Sequence, residues 1–339
     1  MNGQKIFVGL SGGVDSAVSA ALLKEQGHDV VGAYIKIWQP EFIECTWRED
    51  RLDAMRVCAA LDIPFREVDL SDEYKKSVVD AMVRDYARGI TPNPDVLCNR
   101  KIKFGAFAQW AFANGADLIA TGHYARTDNK KLLRARDTAK DQSYFLYQTP
   151  PVALANTLFP VGGMLKAEVR DAAKRFGLPN AQKPDSQGLC FVGEVSMRDF
   201  LARFIAVERG VVVDLNGNGI GHHEGAALYT VGQRHGFSTD SEGPYYVVGI
   251  DVSTNTVCVS PRREDAAKKS VRLQEVQWIN DGPTLPAHVS VQARYHETPV
   301  QAIVDGSTVD FELPHIVSAG QSLVMYKRDV CLGGGVISQ

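Results

Sequence analysis

The chain has 339 residues, of which 45% are hydrophobic and 23% charged, and its formal net charge is −3. This composition is typical of a globular protein with room for two or three domains. The charge argues against a general nucleic-acid coat protein, although an enzyme acting on nucleic acid needs only a local basic surface. No apolar run approaches the roughly 20 residues of a membrane span, and the N-terminus leads into a strand without a signal peptide. We therefore expect a cytoplasmic protein with no membrane partner.

Strands and helices alternate over about the first 190 residues, and apolar runs and helical spacing place them. The predicted strands are Ile6–Leu10, Val30–Ile37, Phe65–Leu70 and Leu118–Thr121. The predicted helices are Val14–Gln26, Asp50–Leu61, Asp72–Arg88, Ile102–Asn114, Ala167–Phe176 and Met197–Val207. This alternation predicts an α/β fold with a doubly wound parallel sheet, whose ligand lies beyond the carboxyl ends of the strands.

Short β-rich runs replace this pattern from Gly210 onward. The predicted strands are Val211–Leu215, Tyr245–Ile250, Thr256–Val259, Val289–Arg294, Gln301–Val304 and Leu323–Tyr326. Asn216-Gly217 and Asp305-Gly306 are dipeptides typical of hairpin turns. We predict three domains: a catalytic domain over 1–199, a small β-containing central domain over 200–264, and a C-terminal β-barrel over 265–339.

A glycine turn, Ser11-Gly12-Gly13-Val14-Asp15-Ser16, joins the first strand to the first helix. Paired glycines let successive backbone N–H groups point inward, and a helix N-terminus adds partial positive charge, so this geometry favours an anion such as phosphate. Asp15 is a candidate ligand for a metal ion. The turn lacks the lysine of a Walker A loop and the spacing of a dinucleotide fingerprint.

A second segment, Thr91-Pro92-Asn93-Pro94-Asp95-Val96-Leu97-Cys98-Asn99-Arg100, combines two prolines with a cysteine. The prolines predict an extended loop that holds Asp95 and Cys98 ahead of the next helix. Arg100 and Lys101 would favour the Cys98 thiolate, and Asp95 is a candidate general acid or base. From these residues alone, a rigid loop with an inert cysteine is an equally good interpretation.

The six cysteines are Cys45, Cys58, Cys98, Cys190, Cys258 and Cys331. They form no C-x-x-C pair, so we expect neither a zinc site nor a thioredoxin-like motif, and His222 and His223 are predicted to be surface hairpin residues rather than metal ligands. Cys190 follows Asp185-Ser186-Gln187-Gly188-Leu189; taken alone it would suit a small buried side chain. Cys58 and Cys258 are expected in cores and Cys331 in the C-terminal barrel.

Taken together, the glycine turn, the segment Thr91–Arg100 and the segment that runs from Asp185 through Cys190 resemble the tRNA-uridine 2-thiolase family of the PP-loop ATP pyrophosphatase superfamily. Four further motifs extend the resemblance over essentially the whole chain in one order: Ala120-Thr121-Gly122-His123-Tyr124-Ala125-Arg126, Lys140-Asp141-Gln142-Ser143-Tyr144-Phe145, Tyr229-Thr230-Val231-Gly232-Gln233-Arg234 and Leu332-Gly333-Gly334-Gly335. The chain departs from the family's usual residues at Ile35, His235 and Ala319. None of these departures touches the proposed reacting groups.

The resemblance implies a role for each of three sets of residues. ATP would contact Gly9, Leu10, Ser11, Gly12, Gly13, Val14, Asp15, Ser16, Ile35 and Gly122. Cys98 would be the catalytic nucleophile, Cys190 would carry a persulfide, and Asp95 would be the acid or base. The target base would meet Asn93, Pro94 and Asp95, and the rest of the tRNA would meet His123, Lys140, Asp141, Gln142, Arg294, Tyr295 and Gln321.

The implied reaction is Mg2+- and ATP-dependent 2-thiolation of the anticodon wobble uridine in tRNAs for Lys, Glu and Gln. AMP attached to the uracil C2 oxygen would make C2 electrophilic, and sulfur would come from the Cys190 persulfide, itself loaded by a separate sulfur donor. Two alternatives are a PP-loop ligase that joins an amine and a non-catalytic tRNA-binding protein. The paired cysteines count against the first and the intact glycine turn against the second.

Overall fold

The computed structural model describes residues 3–42, 47–185, 195–240, 243–279 and 282–338. Its strands form three sheets, which lie mainly in the first, the central and the C-terminal region of the chain. The elements up to residue 201 are, in chain order, β1 (Lys5–Leu10), α1 (Val14–Glu25), β2 (Asp29–Lys36), α2 (Trp47–Leu61), β3 (Phe65–Asp69), α3 (Ser71–Tyr74), α4 (Asp80–Ala87), α5 (Pro94–Leu97), α6 (Ala108–Ala113), β4 (Leu118–Thr121), β5 (Arg126–Asp128), β6 (Lys131–Leu133), α7 (Pro151–Ala155), β7 (Thr157–Leu158), α8 (Lys166–Arg175) and α9 (Met197–Leu201).

The first sheet is parallel, with strand order β3-β2-β1-β4-β7. Alternate residues of β1 enter different cores: Ile6 and Val8 pack with α1 and α8, whereas Phe7 packs with residues of the helical run after residue 94. Burial on both faces explains why β1 and β4 are continuous apolar runs, whereas the edge strand β3 is polar and mostly not buried. The predicted α/β fold with a doubly wound parallel sheet is confirmed.

Two helical runs contain π-helical segments. Lys75–Val79 joins α3 to α4, and Cys98–Phe107 joins α5 to α6, so that residues 94–113 form one continuous run, here called the cysteine helix. The prediction of an extended loop through Asp95 and Cys98 was therefore wrong. Pro94 occupies the first helical position, where a missing N–H costs nothing, and the Asn93 side chain caps the helix by accepting from Val96 N.

The central sheet contains β8 (Gly210–Val213), β9 (Gly219–His223), β10 (Phe237–Thr239), β11 (Tyr246–Asp251) and β12 (Thr256–Ser260), in the order β10-β9-β8-β12-β11. The hairpin predicted at Asn216-Gly217 joins β8 to β9, with Gly217 at a φ of +84°. His223 was wrongly expected at the surface. It is buried, and partners at both ring nitrogens make this possible: Nδ1 accepts from Gly225 N, and Nε2 lies 3.1 Å from the Asn255 carbonyl oxygen.

The C-terminal strands are β13 (Ala267–Trp278), β14 (Ala287–Gln292), β15 (Val300–Asp305), β16 (Thr308–Ile316), β17 (Ser322–Lys327) and β18 (Val330–Ile337). They form a barrel in the order β13-β16-β15-β14-β17-β18, which pairing between β13 and β18 closes. β5 and β6 extend this sheet from the first part of the chain through β6–β18 pairing. The predicted barrel is confirmed, and the predicted hairpin at Asp305-Gly306 joins β15 to β16.

Candidate active site

The glycine turn lies at the carboxyl end of β1 and is held in shape by its own hydroxyl groups. Ser16 Oγ accepts from Ser11 N at 3.2 Å and donates to the Gly13 carbonyl at 3.1 Å, while Gly13 N donates to Ser11 Oγ at 3.3 Å. Gly12 has a φ of +76°, as expected where the chain reverses direction before a helix. The backbone conformation that an anion site requires is therefore built locally.

Two close approaches around the turn leave no space for a side chain. A Cβ on Gly12 would lie 2.5 Å from the Asp50 carbonyl oxygen of α2, and one on Gly122 would lie 2.5 Å from Ser16 N. Gly122 follows β4, which neighbours β1 in the sheet. The ends of β1 and β4 and the start of α1 thus form one compact surface.

Asp15 connects the turn to a group of charged residues, of which only Lys140 is also a site residue predicted from the sequence. Its Oδ1 accepts from Tyr124 Oη at 2.8 Å and from Lys166 Nζ at 2.7 Å. Lys166 Nζ also lies 2.8 Å from Asp185, which in turn pairs with Lys140 Nζ at 2.8 Å and Arg170 Nη2 at 2.6 Å. We call Lys140, Lys166, Arg170 and Asp185 the Asp185 cluster.

The Asp185 carboxylate is held in its charged form. Partial burial would raise its pKa, but hydrogen bonds and the charges of Lys140 and Lys166 outweigh burial and hold the pKa well below its usual range. The cluster therefore contains three cations around one carboxylate, with Asp15 as a second acceptor for Lys166. This excess of positive charge lies beside the glycine turn.

The segment after α8 braces the turn from another side. Asn180 Nδ2 donates to the Gly12 carbonyl at 2.9 Å. Lys183 Nζ pairs with Asp50 at 2.8 Å and with Asp53 at 2.7 Å, which fixes the part of α2 that faces Gly12. Sequence reasoning missed all of these residues because each contact joins positions more than 100 apart in the chain.

Asp95 and Cys98 lie one turn apart on the cysteine helix, so their side chains share a face. Cys98 is 7% exposed and belongs to an apolar cluster with Met82, Ile102 and Phe200. Asp95 is half-buried, and burial raises the pKa of its carboxyl group although the nearby Lys103 ammonium lowers it. A carboxyl group with a raised pKa beside a thiol suits proton transfer.

The cations expected to activate Cys98 are directed elsewhere or exposed. Arg100 Nη1 lies 2.8 Å from Glu275 on β13 and 3.3 Å from Gln148 Oε1, and Lys101 is exposed. Arg100 therefore joins the cysteine helix to the barrel. Activation of the Cys98 thiol by Arg100 and Lys101 stays a prediction.

Cys190 and Cys45 lie outside the described residues. The described residues that flank Cys190 along the chain are Asp185, in the Asp185 cluster, and Val195, which packs against the apolar cluster that contains Cys98.

Cys58 and Cys331 have the environments predicted for them, whereas Cys258, which was expected in a core, is only half-buried. Cys58 is buried in the core against α1, and burial raises its pKa to about 12. Cys331 is buried in β18, and burial likewise raises its pKa to about 12. Cys258 is half-buried within β12. Within the described ranges, no group of three or more His, Cys, Asp or Glu side chains is arranged to hold a metal ion.

All three parts of the chain meet at the segment before the cysteine helix. Thr91 N donates to the Ala319 carbonyl of the barrel region at 3.0 Å, and Thr91 Oγ1 lies 2.9 Å from Thr230 Oγ1 of the central region. A Cβ on Gly320, which has a φ of +87°, would lie 2.2 Å from Ile90 Cγ2. The position of Asn93 and Asp95 therefore depends on docking of both later domains.

Three family models match consecutive parts of the chain: the tRNA methyl transferase HUP domain over residues 4–194, the tRNA methyl transferase PRC-barrel domain over 198–261 and the aminomethyltransferase beta-barrel domain over 268–337. Curated relatives match along their whole length. The tRNA-specific 2-thiouridylase MnmA of Nitrosomonas eutropha is 42% identical over 100% of this chain and 99% of its own. That of Akkermansia muciniphila is 45% identical over 98% of each chain.

The chain belongs to the tRNA-specific 2-thiouridylase family. Among solved structures it is similar to the U34-tRNA thiolase NcsA from Methanococcus maripaludis, with a TM-score of 0.38, 22% identity and coverage of 56% of this chain and 62% of that one. A 4-thiouridine synthetase in an RNA complex with bound ATP gives a TM-score of 0.37 at 21% identity, over 59% of this chain and 50% of that one. A likeness of this size carries no argument about individual residues.

Several residues that thiouridylase membership assigns to tRNA are already engaged within this chain. The buried Asp141 accepts from Arg134, from Ala135 N and from Ser143, and Gln142 Oε1 accepts from Tyr124 N at 2.9 Å. Lys140 pairs with Asp185. Their contact with tRNA stays a prediction, and in this structure they position the loop between β6 and α7.

His123 is buried and neutral. Burial and the charge of Lys103 hold its pKa well below the usual range, and its Nδ1 lies 2.8 Å from Thr121 Oγ1. Its Nε2 lies 3.4 Å from Lys103 Nζ. His123 is therefore suited to hydrogen bonding rather than to carrying a charge toward phosphate.

Arg294, Tyr295 and Gln321 follow or precede barrel strands near the domain junction. Arg294 Nη2 donates to the Val231 carbonyl of the central region at 3.0 Å. The Tyr295 ring lies 4.5 Å from that of Phe145, and burial, with smaller contributions from the Asp141 and Asp95 charges, raises its pKa to about 12. Of these three residues, Tyr295 is the one whose pKa is affected by the Asp95 charge.

Proposed function

We propose that this chain is the thiolase that replaces the C2 oxygen of the wobble uridine with sulfur in tRNAs for Lys, Glu and Gln. The observation that carries the proposal is an identity of 42–45% with tRNA-specific 2-thiouridylases over nearly the full length of the chain. The glycine turn, whose conformation suits an anion, and the presence of Asp95 and Cys98 on one helix face in the described structure support it. We place the reaction in the cytoplasm. No helix within the described ranges is long and apolar enough to span a bilayer.

The glycine turn would bind ATP so that its α-phosphate reacts. Backbone N–H groups and the start of α1 would stabilise the negative charge that develops on phosphate. The uracil O2 would attack the α-phosphate, the α–β bond would break, and pyrophosphate would leave. The adenylated oxygen is then a good leaving group on an electrophilic C2.

Mg2+ fits the oxygen ligands that this surface offers. The carboxylates of Asp15 and Asp185 converge on the Lys166 ammonium at 2.7 and 2.8 Å, so a Mg2+ ion held by both would take the place of that ammonium. Mg2+ commonly binds through one or two carboxylates together with substrate phosphates. When bound, the ion would neutralise charge on the phosphates, and Asp15 would hold it beside the turn.

Sulfur would reach C2 from a persulfide on Cys190, loaded by an external donor. The terminal sulfur attacks C2 and AMP leaves, which gives a C2–S–S–Cys190 adduct. The Cys98 thiolate then attacks the Cys190 sulfur, so that 2-thiouridine leaves and a Cys98–Cys190 disulfide forms. Asp95, whose raised pKa follows from burial, would exchange the proton on the base or on Cys98.

Transfer RNA would dock against the barrel and the domain junction. Asn93, Pro94 and Asp95 would meet the target base, while Arg294, Tyr295 and Gln321 would contact the surrounding tRNA. Because Thr91 contacts both later regions, we expect both to be needed to hold the segment that would meet the base.

Product analysis tests the proposal. The enzyme is incubated with an unmodified tRNA transcript, ATP, Mg2+ and a persulfide donor, a cysteine desulfurase with cysteine, and nucleotides and digested nucleosides are identified by mass spectrometry. We expect tRNA-dependent AMP and pyrophosphate, together with 2-thiouridine. ADP and inorganic phosphate as main products, AMP formation that needs an amine instead of tRNA, or a methylated nucleoside would contradict it.

A further inference from the structure

We propose that Lys103 is a further catalytic residue, whose ammonium group donates a hydrogen bond to the oxygen that leaves uracil C2 together with AMP. This inference rests on the proposed function, since it assumes that the uracil C2 oxygen is adenylated. Neither the predicted ATP contacts nor the predicted tRNA contacts include Lys103.

Lys103 contacts the end of β4 that adjoins the glycine turn. Its ammonium Nζ lies 3.4 Å from Nε2 of His123, and His123 directly follows Gly122 in the chain. Gly122 packs against the start of α1, because a Cβ on Gly122 would lie 2.5 Å from Ser16 N. The Lys103 ammonium group therefore lies beside the surface where the glycine turn would hold the α-phosphate.

Hydrogen bonds through His123 fix the position of the Lys103 ammonium group. An ammonium group can only donate, so His123 Nε2 accepts, and the ring proton is on Nδ1, 2.8 Å from Thr121 Oγ1. Burial and the Lys103 charge lower the pKa of His123, as expected for a neutral ring. The rings of Phe104 and Phe159 flank the imidazole at centroid distances of 5.8 and 6.3 Å. His123 thus positions the ammonium group without neutralising its charge.

The charge of Lys103 also acts on Asp95. Burial raises the pKa of Asp95 and the Lys103 charge opposes that shift, although Lys103 lies eight positions later on the cysteine helix. Helical side chains lean toward the N-terminus of their helix, so the Lys103 side chain extends back toward Asp95. Asp95 is predicted to meet the target base, and Gly122 is predicted to contact the nucleotide. The ammonium group therefore lies between these two predicted sites, where uracil O2 and the α-phosphate must meet.

Sulfur transfer develops negative charge at this point. When the persulfide anion attacks C2, a C2–S bond forms and the C2–O bond breaks. The electron pair of the broken bond stays on the oxygen, which leaves as part of the AMP phosphate. A fixed cationic donor at that oxygen stabilises the charge as it develops, and Lys103 keeps its proton. The contact is weaker before the bond breaks, because the oxygen of the adenylated uracil carries little charge.

Single-turnover assays of the full chain test this role with ATP that is radiolabelled at its α-phosphate. The enzyme is first loaded by a cysteine desulfurase with cysteine, and tRNA and ATP are then added. Adenylated tRNA keeps the label, whereas sulfur transfer releases the label as AMP, so the two steps are followed separately. Loss of one donor at a developing charge predicts that Lys103→Met slows sulfur transfer about 100- to 1000-fold. Labelled tRNA should then accumulate.

Two further variants at the same position separate charge from packing. Lys103→Arg keeps a cationic donor and should recover much of the rate of sulfur transfer. Lys103→Gln keeps a neutral donor for His123 Nε2, so it tests the charge even where the methionine variant does not fold. We expect Lys103→Gln to slow sulfur transfer at least about 10-fold and to accumulate labelled tRNA as well.

The pH dependence separates a direct contact from an effect through Asp95. Above the acidic limb of the pH–rate profile, Asp95 is ionised with or without Lys103, so a change in its pKa no longer alters the rate. The slow sulfur transfer of Lys103→Met should persist on that plateau. A loss confined to the acidic limb would show that Lys103 acts only on the pKa of Asp95, and it would overturn the inference.

Lys174→Met is the matched control. It removes an exposed lysine from the last turn of α8, where Lys174 pairs with Asp171 at 3.3 Å. We expect the rates of adenylation and of sulfur transfer in this variant to equal those of the wild type.

Two other results would overturn the inference. Equal slowing of adenylation and sulfur transfer by the Lys103 variants would make Lys103 a structural support, and unchanged sulfur transfer would remove it from the site. Both results require that the wild type forms adenylated tRNA. A wild-type enzyme that forms none would instead overturn the proposed function, and the inference with it.

Discussion

Replacing Gly12 with alanine should destabilise the protein strongly, whereas the same change at the adjacent Gly13 should not. Gly12 has a φ of +76°, and its added Cβ would lie 2.5 Å from the Asp50 carbonyl oxygen and 2.9 Å from Asp50 Cα. Gly13 has a φ of −83°, and its Cβ would meet only Ser11 Oγ, at 3.3 Å. The fold therefore requires glycine at position 12 but not at position 13, a difference that the sequence alone does not reveal.

The magnitude follows from two costs at Gly12. An alanine in the left-handed region loses about 1–2 kcal/mol, and crowding against a packed backbone loses about 1–3 kcal/mol more. The Asp50 backbone cannot easily move, because Lys183 holds its side chain. We expect Gly12→Ala to lower the free energy of unfolding by about 2–5 kcal/mol. Gly13→Ala should change it by at most about 1 kcal/mol.

Urea unfolding followed by fluorescence and by circular dichroism gives these free energies for both variants. Titration with ATP gives the ATP affinity of each variant. Gly13→Ala should fold normally, but its affinity for ATP should be lower than that of the wild type, because the added methyl group would face the bound phosphate. Gly12 and Gly13 variants of equal stability would refute the close approach to α2. Normal ATP affinity in Gly13→Ala would refute the placement of phosphate at the turn.

Three further changes test other parts of the account. Gly320→Ala should weaken tRNA binding and thiolation but not ATP binding, since its Cβ would displace the segment that carries Asp95. Gly306→Ala is the control for backbone strain alone, because Gly306 has a positive φ with open space around it. Lys103→Met removes a charge that lowers the pKa of Asp95, so the acidic limb of the pH–rate profile should move to higher pH; an unmoved limb would exclude Asp95 as the base. Asp185→Asn should lower the free energy of unfolding by about 1–3 kcal/mol at neutral pH. Because the folded-state pKa of Asp185 is depressed, this difference should be constant well above the ordinary carboxyl pKa and shrink as pH falls below it; a difference independent of pH would contradict that assignment.

Local patterns predicted β1 and β4 of the first sheet most accurately, because these two strands are buried on both faces. Ile6–Leu10 and Leu118–Thr121 are continuous apolar runs, and the structure places strands there to within a residue. The family and the order of fold types are confirmed as well. The domain limits at 199/200 and 264/265, and the roles of the individual site residues, stay predictions.

The errors came from residues whose conformation or contacts local patterns do not determine. Pro94 begins a helix instead of preventing one, because Asn93 caps it. β5 and β6 lie in a polar stretch and become strands by pairing with β18. Lys166 and Asp15 are 151 positions apart, and no local spacing could indicate that they touch.

Thiolation by cysteine variants tests the central claim most directly. Wild type, Cys98→Ser, Cys190→Ser and Cys58→Ser are incubated with tRNA, ATP and the persulfide donor, a cysteine desulfurase with cysteine, and 2-thiouridine is measured by mass spectrometry. Cys58, buried in a core with a pKa raised to about 12, serves as the control, and its variant should keep its chemistry with at most reduced stability. The account predicts loss of 2-thiouridine in both Cys98→Ser and Cys190→Ser with AMP formation still possible. Full thiolation by either variant would contradict the two-cysteine mechanism.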